Sequence, residues 1–151
     1  MSQDASGIDL GTSLGYQVKV VSSVLRSEME AALRPLGMTI THYSCLELLS
    51  QRAGLSNSDL ARGTFVTRQS MNVVLQSLES DGLVSRLDRP VSGRVLPTEL
   101  TSAGRERLRL ASAAVKRVED RMTASFSAEE EDVLRDLLSR CARSLREDAL
   151  R

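Results

Sequence analysis

The sequence predicts a mainly α-helical fold with a single β-hairpin, and three observations carry that expectation. Apolar residues recur at steps of three and four through most of the 151 residues, the period of an amphipathic helix. Only three prolines are present, few enough to leave long helices uninterrupted. One stretch, "LVSRLDRPVSGRVLPTELT", instead places short apolar runs on either side of a turn-rich tip, the pattern of two strands and a bend.

Composition narrows the class. With 41% hydrophobic and 26% charged residues, the chain carries enough apolar surface for a core and does not read as disordered. A chain of this length fits one domain and buries roughly 70% of its unfolded surface. No apolar run reaches the length of a membrane span, and "MSQDASGIDLG" is acidic and polar, unlike a signal peptide. A cytoplasmic protein without a membrane partner is expected. Cys45 and Cys141 are far apart and lack metal-type spacing, so free thiols, no metal and no cofactor are expected. A single histidine, no G-x-S-x-G and no glycine-rich phosphate loop leave no converging catalytic set, and the chain does not read as an enzyme.

The elements follow in order. From about Thr12, Leu14, Val18, Val21, Leu25, Met29 and Leu33 trace a long first helix that stops at Pro35 and Gly37. Thr39 or Thr41 caps a second, "HYSCLELLSQRAG", with Tyr43, Leu46 and Leu49 inward and Gly54 as its end. "SNSDLARG" opens on Ser56 with Asp59 three residues on, a capping-box spacing, and Gly63 closes this short third helix. The fourth, within "FVTRQSMNVVLQSLESDGLV", buries Met71, Val74, Leu75 and Leu78 and stops at Gly82. In the hairpin Gly93 makes the bend, and Pro97, which cannot donate to a ladder, marks the return strand as an edge. A fifth helix starts at Thr101 and carries Leu108, Leu110, Ala111, Ala114, Val115, Val118 and Met122. Ser127 and Glu130 form a capping box before the sixth, along Val133, Leu134, Leu137, Leu138, Cys141 and Leu145.

The fourth helix holds more than a core seam. Thr67, Arg68, Gln69, Ser70, Asn72 and Gln76 lie off that seam in its first turns. A short helix, a tight turn and a second helix opening on polar residues is the helix-turn-helix order, whose second helix enters the major groove N-terminus first. Arg reads guanine, Gln and Asn read adenine, and Ser and Thr serve bases or phosphates. Val73, apolar and off the seam, suits a thymine methyl. Ser56, at the start of the third helix, joins the candidate contacts. Against this, capping and solubility alone account for Thr, Ser, Arg and Gln at a helix start.

Charge supports the same segment modestly. Net charge is zero, but residues 52–98 carry six bases and four acids, against three and five in 1–51 and eleven of each in 99–151. All six central bases are arginine, and between Leu60 and Leu78 two arginines stand with no acid. The hairpin following the fourth helix reads as a wing, with Arg89 and Arg94 at its tip in reach of a minor groove or phosphates.

Together "PLGMTITHYSCLELL", "LSNSDLARGTFVTRQSMNVVLQSLESDGLVSR", "GRVLPTELT" and "SAGRERL" resemble the MarR (multiple antibiotic resistance regulator) family of bacterial transcription factors, from about Leu14 to Leu145. The resemblance implies a winged helix-turn-helix over residues 39–100, in a single domain 1–151 whose long N- and C-terminal helices, 12–36 and 101–149, form the dimerisation region. It makes Thr67 to Glu79 the recognition helix and Arg94 the wing-tip arginine. Family members often set an acid two residues before that arginine, where this chain has Ser92. The long apolar stripes by themselves favour a homodimer over an intramolecular bundle. A two-fold dimer presents recognition helices about 34 Å apart to a pseudo-palindromic operator.

The resemblance further implies a ligand-responsive repressor, released from double-stranded DNA by a small phenolic or anionic effector. Tyr16, Arg26, His42 and Tyr43 are the candidate lining. A subset of the family senses oxidants through cysteine, and Cys45 is the candidate there, although its apolar neighbours Leu46 and Leu49 read as the surroundings of an inert thiol. A winged-helix protein-interaction module without sequence-specific DNA binding is the alternative that zero net charge permits.

Overall fold

The computed structural model describes residues 7–86 and 97–148. Its elements are α1 (Leu14–Leu33), a 3-10 turn (Arg34–Leu36), α2 (Ile40–Gln51), α3 (Asn57–Thr64), α4 (Arg68–Ser80), β1 (Val84–Arg86), β2 (Thr98–Leu100), α5 (Ser102–Met122) and α6 (Ala128–Asp148). The hairpin tip, including Arg89, Ser92, Gly93 and Arg94, lies outside the described residues.

Short polar side chains begin these helices because the first N–H groups have no intrahelical partner. Ser13, Thr39, Ser56, Thr67 and Ser127 accept from the backbone N–H groups of Tyr16, His42, Asp59, Ser70 and Glu130. Three caps are reciprocal: His42 Nδ1, Asp59 Oδ2 and Glu130 Oε2 accept from the N–H groups of Thr39, Ser56 and Ser127. Such a cap is worth about 1 kcal/mol.

Helix ends differ from the sequence expectation at two glycines. α2 stops at Gln51, where Arg52 turns extended, and Gly54 with φ 75° follows in the turn after it. α3 does not close at Gly63 but runs to Thr64, and Phe65 takes the left-handed conformation that ends it. Gly63 lies against α2: a β-carbon there would come within 2.5 Å of Leu48 Cδ1, so that methyl would have to shift.

The chain divides into two compact units, Met1–Val118 and Glu119–Arg151. In the first, Leu33, Leu46, Leu60, Met71, Leu75 and Leu78 are wholly buried and pack with Leu83, Val84, Leu100 and Leu108 in one core. α5 enters it at a close approach, since a β-carbon on Gly104 would lie 2.0 Å from the Leu83 carbonyl oxygen. Thr101 fixes this joint by donating its hydroxyl to Gly82 O at 2.6 Å and accepting the Gly104 N–H at 3.0 Å. Farther along, Arg107 Nη1 donates to Leu36 O at 2.8 Å, tying α5 to the turn after α1.

β1 and β2 pair antiparallel, Val84 with Leu100, Ser85 with Glu99 and Arg86 with Thr98. Leu55 also bridges Thr98 antiparallel. The return strand is an edge of this two-stranded sheet, as Pro97 predicts, and the bridge from Leu55 meets its free side at Thr98 alone. A single apolar residue between two helices carries no strand pattern, so the bridge has no local signal.

α1 changes character along its length. Leu33 is buried and Leu25 and Met29 half-buried, whereas Leu14, Val18, Val21 and Val24 stand in solvent. Within the second unit, Val133, Leu137, Leu138 and Leu145 of α6 are likewise exposed. Among the described residues no helix is long and apolar enough to cross a membrane.

Candidate nucleic-acid interface

α4 turns its apolar seam inward, with Ser77 half-buried beside it. Met71, Leu75 and Leu78 are buried and Val74 half-buried, while Thr67, Arg68, Gln69, Ser70, Asn72, Val73 and Gln76 are all exposed. Val73 is 64% exposed, which serves no packing purpose within the chain. Thr67 sits at the N-cap, its hydroxyl donating to Ser70 Oγ at 3.0 Å while accepting the Ser70 N–H. With no acid in the first turn, the positive end of the helix dipole adds to Arg68 rather than being offset, an arrangement that favours an approaching phosphate. Val66 and Met71 have the spacing of a hydrophobic staple across this start.

Two contacts assign candidates a further task. Asn57 Nδ2, on the first turn of α3, donates to Asn72 Oδ1. Asn72 thus links the two helices of the motif, with one lone pair of its Oδ1 and its own amide N–H groups left over. Ser56 is half-buried and occupied as the α3 cap, with Asp59 Oδ2 accepting its hydroxyl at 2.7 Å. Hydrogen bonds from Ser56, then from Arg62, hold the Asp59 carboxyl below its usual pKa. The sequence carries no local sign of the Asn57 contact, because its partner lies fifteen residues away.

The central arginines do not form one exposed patch. Arg68 and Arg52 are exposed, and Arg62, also exposed, pairs with Asp59 at 2.6 Å. Arg86 is half-buried, with Nε 3.9 Å from Glu79 Oε2. Its Nε and Nη2 are buried without a hydrogen-bond partner, so it ties the root of the wing to the end of α4 instead of extending a basic surface. Arg89 and Arg94 fall outside the described residues.

The candidate effector residues do not converge. Tyr16 and Arg26 lie on the exposed part of α1, about 15 Å apart along its axis. Arg26 Nε pairs with Glu30 Oε1 at 3.1 Å. His42 and Tyr43 are half-buried at the start of α2, where His42 works as a capping residue. Burial lowers the His42 pKa against a smaller raising effect of Asp81. A cleft of about 510 Å³ between α2, β2 and α5 is lined by Glu47, Ser50, Glu99, Arg105, Arg109 and Ser112 among others, and by none of those four.

Cys45 is buried, and that burial pushes its thiol up to about 12 despite Arg86 nearby. It is held protonated and out of reach, the opposite of a reactive thiolate. Cys141 is exposed on α6. No group of three or more histidine, cysteine or acidic side chains suited to a metal exists among the described residues.

Comparison with known proteins gives one answer. Residues 36–95 match the sequence profile of the MarR family. The HTH-type transcriptional repressor Rv2887 of Mycobacterium tuberculosis is 42% identical over 127 residues, covering 84% of this chain and 91% of that one. Its crystal structure in complex with DNA superposes with a TM-score of 0.73 at 39% identity, over 86% of this chain and 98% of the other. The same protein with salicylic acid gives 0.71 at 42% identity, over 86% and 96%. The transcriptional repressor CouR, bound to a 23-mer DNA duplex, gives 0.80 at 28% identity, over 91% and 99%.

Proposed function

The chain belongs to the MarR family, and on that premise we propose that it is a transcriptional repressor that binds double-stranded DNA as a homodimer and is released by a small aromatic anion. The observation that carries the reading is the division of α4, whose apolar seam is consumed by the core while a side that is polar but for Val73, with an acid-free N-terminus, faces solvent. Thr67, Arg68, Gln69, Ser70, Val73 and Gln76 are the reading residues. Asn72 contributes through its link to Asn57, Ser56 by setting α3, and Arg89 and Arg94 from the wing. The exposed stripes of α1 and α6 are the dimer surfaces, and no catalytic step is assigned. A regulator of this kind works in the cytoplasm.

The relative's complexes with DNA and with salicylic acid support both halves of the proposal. Tyr16, Arg26, His42 and Tyr43 remain the proposed effector contacts. Their separation means that one small effector meets only part of the set within a chain, so a partner subunit completes its site.

Selection of bound duplexes from a random pool, followed by fluorescence anisotropy over a range of salt, tests the reading. The expected result is a pseudo-palindromic site preferred by about 10³ or more over a shuffled duplex, with affinity falling as salt rises and lost on adding salicylate. No enrichment, or equal binding to both duplexes, would replace the repressor with a protein-interaction module.

A further inference from the structure

Phe65 stands where the backbone favours glycine. It ends α3 at φ 59°, ψ 37°, with its N–H directed to Ala61 O and Arg62 O. It is the only non-glycine residue with positive φ among the described residues. A β-carbon in that conformation is strained, and strain of this kind persists at sites where function retains it. The ring is also 87% exposed, more than any other large hydrophobic side chain described. Capping α3 uses only the backbone, so neither the ring nor its apolar surface is explained by the fold.

Its position supplies the explanation. Phe65 lies two residues before the α4 N-cap, separated from the exposed run Thr67 to Gln69 only by the half-buried Val66. Exposed arginines flank it at equal distance in sequence, Arg62 three residues before and Arg68 three after. An exposed apolar side chain set in sequence between Arg62, which pairs with Asp59, and the exposed Arg68 suits one strand of a duplex, where each deoxyribose lies between two phosphates. We propose that Phe65 is a DNA contact, its ring laid on deoxyribose at the wall of the major groove that α4 enters. This rests on the reading of α4 as the recognition helix. The contact is independent of base sequence, because sugar carbons are the same at every step.

Phe65→Gly separates the ring from the fold. Relief of the left-handed strain is expected to raise Tm by about 3 °C. Affinity for the selected and the shuffled duplex is expected to fall alike, by about tenfold, as burial of part of an aromatic side chain is lost. The salt slope stays unchanged because no cation is removed. Phe65→Tyr, which keeps the ring, is expected to bind within about twofold of wild type. Unchanged affinity in Phe65→Gly overturns the contact, and a loss confined to the selected duplex overturns the sugar assignment in favour of a base. A fall in Tm overturns it as well, since the ring would then belong to the fold. Wild-type protein that binds no duplex defeats the reading of α4 itself, whereas normal wild-type binding beside an indifferent Phe65→Gly defeats the Phe65 contact alone.

Discussion

α4 and α1 are built on the same amphipathic period and resolve it in opposite ways. On α4 the apolar positions are consumed within the chain, with Met71, Leu75 and Leu78 buried, and the surface left over is polar. On α1 only Leu33 is buried, and Leu14, at 80% exposure, begins an apolar stripe left in solvent through Val18, Val21 and Val24. The two surfaces differ in the kind of partner they suit. A polar face with an acid-free N-terminus loses little by standing in water and suits a charged duplex. An apolar stripe of that length is costly in water and suits another apolar stripe.

The comparison breaks first at the core. Leu75→Ala is expected to cost about 2–5 kcal/mol in chemical denaturation, because it opens a cavity under α4. Val21→Ala, on the exposed stripe, is expected to leave the stability of the isolated subunit within about 0.5 kcal/mol. Comparable losses in the two variants at high dilution would mean that α1 is packed within the chain after all. Val21→Glu sharpens the point: sedimentation velocity is expected to show monomer where wild type is dimer, since an unpaired charge is placed in an apolar interface. Persistence of the dimer would move the interface elsewhere.

Smaller effects address the exposed face of α4. Arg68→Ala is expected to weaken binding to the selected duplex by about 1–3 kcal/mol with Tm unchanged, read by anisotropy and thermal melting. The smallest effect concerns His42, whose pKa lies below 6.5 through burial. As pH drops below that value the unfolded chain takes up a proton that the folded chain resists, so stability falls with falling pH. His42→Gln keeps an acceptor for the Thr39 N–H and is expected to flatten that slope, a change below about 1 kcal/mol in urea titrations between pH 7 and 5.5.

What the sequence revealed and what it hid divide along range. Helix starts were legible because Ser56 with Asp59, or Ser127 with Glu130, act over three residues. The exposed face of α4 was legible because period 3.6 separates Gln69 and Val73 from Met71 and Leu75. Contacts between distant residues left no such trace. Nothing near Asn57 points to Asn72, nothing in Leu55 points to Thr98, and Arg86 reads as one more surface base until the fold brings it beside Glu79. Gly63 illustrates the limit well: its position near a helix end suggested a terminator, while its close neighbour is Leu48, fifteen residues earlier. Phe65 went unmarked because exposure and backbone conformation are properties of the fold.

Hydroxyl-radical footprinting of the selected duplex tests the pairing of the two helices' roles most directly. Two protected patches on one face of the DNA, centred about 34 Å or one helical turn apart, are predicted, because two copies of α4 joined through the apolar stripes must enter successive major grooves. A single patch, or protection without that spacing, would contradict it.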